Sequence, residues 1–166
     1  MYDPTPGGIH QFPLIEHLSR VTSKAGELAD SYGLEETDKE LVLLAAAFHD
    51  IGKANSSQAT DQDIDNPLAA LPYLRKIRAM SYDRLQEVIL LIGNDELFGN
   101  LIGGNRAERA SQDLARLFPS KRDKKMLLSL YQADVWELDG TGDQYRAWRV
   151  DEGLRRLGLN FAVSPR

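Results

Sequence analysis

Apolar residues at helical spacing alternate with short polar breaks along most of this chain, and one stretch departs from that rule. Leu14, Leu18, Val21, Ala25 and Leu28 recur every three or four positions, which predicts an amphipathic helix with Pro13 in its first turn and Gly33 at its end. Residues 41–48, LVLLAAAF, then offer no polar position at all, so this segment predicts a helix covered by protein on most faces. Thr37 and Glu40 have the spacing of a capping box for it. Gly52 stands where such a helix would stop, since glycine tolerates the left-handed turn that closes helices. His49 and Asp50 accordingly fall in its last turn.

Residues 55–65, NSSQATDQDID, are polar and poor in anchors, and predict a mobile loop beside His49 and Asp50. Asn66-Pro67 starts a helix running through Leu68, Leu71, Leu74 and Ile77. Ser81 caps the next, with Leu85, Val88, Ile89 and Ile92 inward and Gly93 at its end. A short helical piece over 94–102 is bounded by Gly103-Gly104, and Asn105 caps a charged amphipathic helix closing before Pro119. Ser120 opens a helix whose inner face carries Leu127, Leu130, Tyr131, Asp134 and Val135, and a last helix covers about 143–157. No stretch alternates as a strand would. The expectation is an all-α fold, a compact bundle of about seven helices over residues 13–158, with an N-terminal arm at 1–12 and a tail at 159–166.

Composition narrows the partners. A chain of 166 residues, 42% hydrophobic and 27% charged, suits one domain with a sizeable core. The absence of cysteine excludes disulfides and thiolate metal sites, and a reducing cytoplasm is the expected compartment. No run is apolar enough to cross a bilayer and MYDPTPGG does not read as a signal peptide, so no membrane partner is expected. A net charge of -5 argues against a generic basic groove for nucleic acid, though not against a small anion held locally. Oligomeric state is left open by the sequence.

The candidate chemistry is sparse, because the chain has three histidines: His10, His17 and His49. His49 and Asp50, at the mouth of an apolar core, either share a metal ion or form a hydrogen-bonded pair. Asp134 lies on a buried stripe, where a carboxylate needs a cation, several donors, or the end of a neighbouring helix to cap. His17 borders the buried face of the first helix. His10 sits in the arm, as a tail residue or, were the arm to fold over the pocket, as a substrate contact or an extra ligand. The basic run SKRDKK at 120–125 reads as a solvated helix start or a nucleic-acid contact. Tyr131, Trp136, Tyr145 and Trp148 suit helix packing or base stacking.

In context, FHDIGK at the end of an apolar helix resembles the hallmark of the HD-domain metal-dependent phosphohydrolases. EHLSRV around His17 resembles that family's first-histidine helix, and the alanine-aspartate step in YQADVWEL, at Asp134, resembles its late helix. The resemblance spans about residues 13–138. It implies one divalent metal ion, manganese, iron, magnesium or zinc, held by His17, His49, Asp50 and Asp134. It implies hydrolysis of a phosphate mono- or diester, of a phosphorylated small molecule, a nucleotide or an RNA end. Asp50 would also orient water, and Lys53 would contact the phosphate, with Arg20 as a second contact one turn after His17. The same lysine also reads as a solvated loop residue. Many relatives hold a second metal through two further histidines, whereas this chain has none after His49. Asn66, Asn94 and Asp95 stand at the matching places, and Asp95 becomes the candidate base, or a helix cap. The rival expectation is a degenerate HD domain serving as a metal- or nucleotide-sensing or protein-interaction module.

Overall fold

The computed structural model describes residues 14–54, 62–103 and 106–139, together with Arg155. The arm with His10 and Pro13, most of the expected loop, Asn105, the helix expected over 143–157 with Tyr145 and Trp148, and the tail lie outside the described residues. Among those described there are α1 (Leu14–Ser31), α2 (Glu36–Phe48), a 3-10 turn (Ile51–Ala54), α3 (Gln62–Leu74), α4 (Tyr82–Ile92), α5 (Leu97–Gly103), α6 (Ala107–Leu117) and α7 (Lys121–Asp139). No strand occurs among them, and the all-α expectation holds.

The element ends follow from local chemistry. Gly33, at φ +65°, closes α1 while its N–H reaches Asp30 and that of Leu34 reaches Ala29, the paired bonds that satisfy the last carbonyls of a helix. Ser81 accepts the Arg84 N–H at the start of α4, as its position suggested. Ser120 and Asp123 cap α7 reciprocally: the Asp123 N–H donates to the serine hydroxyl oxygen and the Ser120 N–H to the carboxylate.

Three starts differ from the sequence reading, and the simplest is α5, which begins at Leu97 rather than at residue 94. At α2 the flanking residue is Glu35, whose side chain makes no capping bond, and Thr37 and Glu40 lie inside the helix. The Glu35 carbonyl takes the Asp38 and Lys39 N–H groups, the acidic Glu36 and Asp38 suit the positive helix end, and Glu40 pairs with Arg84 of α4 at 2.6 Å. At α3 the helix begins before Asn66-Pro67 and takes in residues 62–65, with Pro67 and Pro72 both inside it. Packing on the 3-10 turn and on α4 outweighs the backbone donors that the prolines remove.

Helix α2 is the hub. It packs on α1, α4 and α7, and α1 in turn packs on α7. Val21 and Ala25 of α1, Val42, Ala45 and Ala46 of α2, and Leu127, Leu130 and Ala133 of α7 are all fully buried. Alanines at these crossings let the helix axes approach closely, which brings the polar ends of three helices to one corner. No position from 41 to 50 is exposed, as the unbroken apolar run predicts.

Leu130, fully buried one turn before Asp134, is expected to cost about 2–5 kcal/mol when replaced by alanine. Chemical denaturation of Leu130→Ala measures this, and a loss below about 1 kcal/mol would contradict the packing described.

Candidate metal centre

Each side chain at the corner arrives from a different structural accident. His17 enters from the first turn of α1. His49 and Asp50 sit immediately past α2, where His49 still holds helical dihedrals (φ -57°, ψ -30°). The helix therefore ends one turn earlier than Gly52 suggested, and among the described residues Gly33 is the sole glycine with positive φ. The need for glycine at 52 is spatial: a Cβ there would lie 2.6 Å from Asn66 Oδ1 and 3.2 Å from the Asp65 backbone. The Gly52 N–H donates to that same Asn66 oxygen at 2.9 Å. Asp134 comes in from α7, one turn after Leu130.

His17 Nε2 lies 3.5 Å from Asp50 Oδ2 and 3.2 Å from Asp134 Oδ1, and His49 Nε2 lies 3.7 and 3.3 Å from the same two oxygens. The imidazole rings are tilted, their centres 5.4 Å apart. One ligand atom from each of the four residues falls within 4.8 Å of all the others. Around a cation with bonds of about 2.1 Å, neighbouring donors sit about 3.0–3.4 Å apart, so the corner has the dimensions of a coordination shell. His49 Nδ1 lies 2.8 Å from the Ala46 carbonyl. A carbonyl only accepts, so Nδ1 carries the proton and the neutral ring turns its Nε2 lone pair to the centre. Two imidazole nitrogens and two carboxylates form a donor set suited to a divalent cation, and the residues fit.

Without a metal, the charge balance is met by protons. Burial alone would lower the pKa of His49, but Asp50, Asp134 and Asp95 override it and raise the imidazole to about 10. Burial likewise opposes protonation of His17, and hydrogen bonds to Asp134 and Asp50 carry its pKa upward. Burial pushes Asp50 up, whereas His49, His17 and Lys53 together hold it at about 2. Asp134 is also held below the carboxylate range by the two imidazoles, against the effect of burial. The site requires positive charge.

The remaining expected residues occupy distinct places. Lys53 Nζ lies 2.5 Å from Asp50 Oδ2, on the oxygen that also faces both histidines. Asp95 sits in the turn between α4 and α5, and burial, reinforced by Asp134 and Asp50 and opposed by His49, raises its pKa well above the usual range. Arg20 is exposed and donates to Glu16 at 3.2 Å. A separate cavity of about 300 Å³ is lined by Asn94, Glu96 and Asn100, by Arg106 at the start of α6, and by Arg109 and Asp113 within it; neither Asp95 nor any of the four converging side chains lines it. The sequence reading missed this cavity and the Asn66 bond, for which the one available signal was a buried amide amid the apolar spacing of α3.

The basic run of α7 is engaged by its own fold. Arg122 bonds Asp38 of α2 at 2.6 Å and Glu87 of α4 at 2.9 Å, and Lys125 donates to the Tyr32 carbonyl at 2.6 Å. Trp136 is exposed, with the Lys24 ammonium 4.8 Å from its ring centre. None of the helices described is long and apolar enough to cross a membrane.

The profile of the HD-domain family matches residues 14–126, from the start of α1 into α7. The match takes in His17, His49 and Asp50 and stops short of Asp134, which reaches the centre through its 3.2 Å approach to His17. No curated protein and no solved structure matches the chain. A family match over well more than half the chain, joined to two histidines and two aspartates converging in the order that the family requires, assigns the chain to the HD-domain family.

Proposed function

We propose that this HD domain is a metal-dependent phosphohydrolase acting on a phosphate mono- or diester of a small molecule, a nucleotide in particular. The observation that carries the reading is the convergence of one donor atom each from His17, His49, Asp50 and Asp134 within 4.8 Å. These residues are the proposed ligands of one divalent ion, manganese, iron, magnesium or zinc. Bound there, the ion would supply positive charge against a phosphoryl group and acidity for water.

The protein's own groups supply the rest. Asp50 orients the attacking water. Lys53, already against Asp50, turns its ammonium to the phosphate as a point charge, with Arg20 as a further contact. Asp95, whose pKa is raised by burial and by Asp134 and Asp50, is the residue proposed for proton transfer. The loop after Lys53 and the 94–105 region are the parts of the chain proposed to select the substrate.

A small substrate is favoured over an RNA end because Arg122 is spent on Asp38 and Glu87 and Lys125 on a backbone carbonyl. If RNA were the substrate, neutralising Lys121, Arg122, Lys124 and Lys125 would weaken binding in a salt-dependent way. A second reading, a sensing module that binds metal or nucleotide without turnover, has one observation in its favour. Lys53 sits on Asp50 while the chain lacks the additional histidines of two-metal relatives. A phosphoester panel with added manganese separates the two, since the module predicts binding with no hydrolysis of any member.

Asp50→Ala is expected to abolish both metal content and phosphoester turnover while leaving the helical signal intact. Elemental analysis and the panel measure this, and unchanged metal content would remove the site from consideration.

A pH dependence follows from the raised imidazoles. A folded pKa above the ordinary value means that protonated His17 and His49 stabilise the metal-free fold fully below about pH 6.5. That contribution is lost as pH rises through about 10 for His49. Asp50 acts in the opposite sense: its contribution is present above the usual carboxylate range and is lost as pH falls through about 2. Metal entry must therefore expel protons from the imidazoles. Calorimetric titration with Mn²⁺ at pH 7, in buffers of different ionisation enthalpy, should show release of about one to two protons per ion. Heat independent of the buffer would contradict the charge balance described.

A further inference from the structure

We infer that Asn66 is a positioning residue that latches the metal-binding turn onto α3, an inference that rests on the metal reading above. The turn over residues 49–53 carries two proposed ligands, His49 and Asp50, and the proposed phosphate contact Lys53. Within it the Lys53 N–H reaches the Asp50 carbonyl at 2.9 Å, and Ile51–Ala54 form the 3-10 turn. The external tie described above is the Gly52 N–H to Asn66 Oδ1, at 2.9 Å. Gly52 stands next to Lys53 and two residues after Asp50, so this bond, together with the packing of the turn on α3, fixes the backbone close to both side chains.

Two further observations give Asn66 this role rather than that of a passive core amide. Asn66 is 2% exposed, so its oxygen has little water to turn to and the Gly52 N–H is a partner it cannot readily replace. The approach is also too close for any other residue at 52: a Cβ would meet Asn66 Oδ1 at 2.6 Å and the Asp65 backbone at 3.2 Å. Glycine and asparagine are therefore complementary halves of one contact. Removal of the amide leaves a donor in the turn without its partner and lets the Asp50 backbone drift relative to His17 and Asp134, which are anchored on α1 and α7.

The test uses the full chain, with Mn²⁺ as the probe, and compares wild type, Asn66→Ala and Asn66→Asp. Hydrogen exchange at the Gly52 amide is read by NMR, alongside Mn²⁺ affinity by calorimetry and thermal melting of the metal-free protein. In Asn66→Ala, exchange at Gly52 should accelerate by about tenfold or more and Mn²⁺ affinity should fall by about tenfold or more, the usual scale for groups that orient ligands. Asn66→Asp keeps the acceptor oxygen and should retain slow exchange at Gly52. A purely structural amide would instead lower the melting temperature and leave the affinity of the folded fraction unchanged. Fast Gly52 exchange in wild type, or wild-type Mn²⁺ affinity in Asn66→Ala, overturns the inference. If wild type binds no Mn²⁺, the metal reading fails while Gly52 exchange still decides the latch. Should Asn66→Ala not fold, Gly52→Ala addresses the same contact from the other side, and wild-type Mn²⁺ affinity in that variant overturns the inference equally.

Discussion

Two carboxylates held inside a protein within reach of one another repel, and each loses hydration, so a fold that brings them together must also bring positive charge. Asp50 and Asp134 meet in such a corner, and the two imidazoles between them supply that charge by taking up protons when no metal is present. The same geometry can then serve two states. Protons on His17 and His49 balance the charge of the metal-free corner, and a divalent ion held there would exchange one form of positive charge for another, with the Nε2 atoms already turned inward.

That exchange is credible because the scaffold around it is stiff. Helices α1, α2 and α7 cross through alanines at 25, 45, 46 and 133, all fully buried, and α4 closes the stack from the other side of α2. Arg122 adds a charged clamp between α2, α4 and α7 through Asp38 and Glu87. Asp134 thus stands on a helix tied at its start by Arg122 and in its middle by Leu127 and Leu130. The turn carrying Asp50 is held differently, by short-range bonds and by α3. Rigid helices on one side and a latched turn on the other leave the turn as the part whose geometry is easiest to alter.

The sequence disclosed the parts whose signal is periodic or chemical. The unbroken apolar run before His49 announced a buried helix, and the spacing of Leu127, Leu130 and Asp134 put a carboxylate on the inner face of α7. Helix boundaries were less legible where tertiary contacts override local preference: Thr37 and Glu40 have the capping spacing, yet Glu40 is drawn across to Arg84 and the helix starts earlier. Gly52 was read through backbone torsion, although what matters there is the absence of a Cβ against Asn66. No single-chain pattern encodes that approach, since Gly52 and Asn66 become neighbours only after α3 folds back. The same holds for Arg122, which looked like one member of a basic run and proves to be a clamp.

On the proposed reading Asp95 stands where two-metal relatives carry a histidine, and the chemistry available there differs. An imidazole at that place would offer a lone pair to another cation near neutrality. A carboxyl whose pKa is raised well above the usual range offers a proton instead, and it is raised because burial and the charges of Asp134 and Asp50 outweigh the attraction of His49. Ionising Asp95 would add a third negative charge to a corner that already needs compensation for two. Under the proposed function, burial and these charges favour the protonated form of Asp95, which suits one metal ion and a proton donor rather than the base expected from the sequence. The proposal thus links the missing histidines to the one donor cluster found among the described residues, with further negative charge at Asp95 opposed by Asp50 and Asp134.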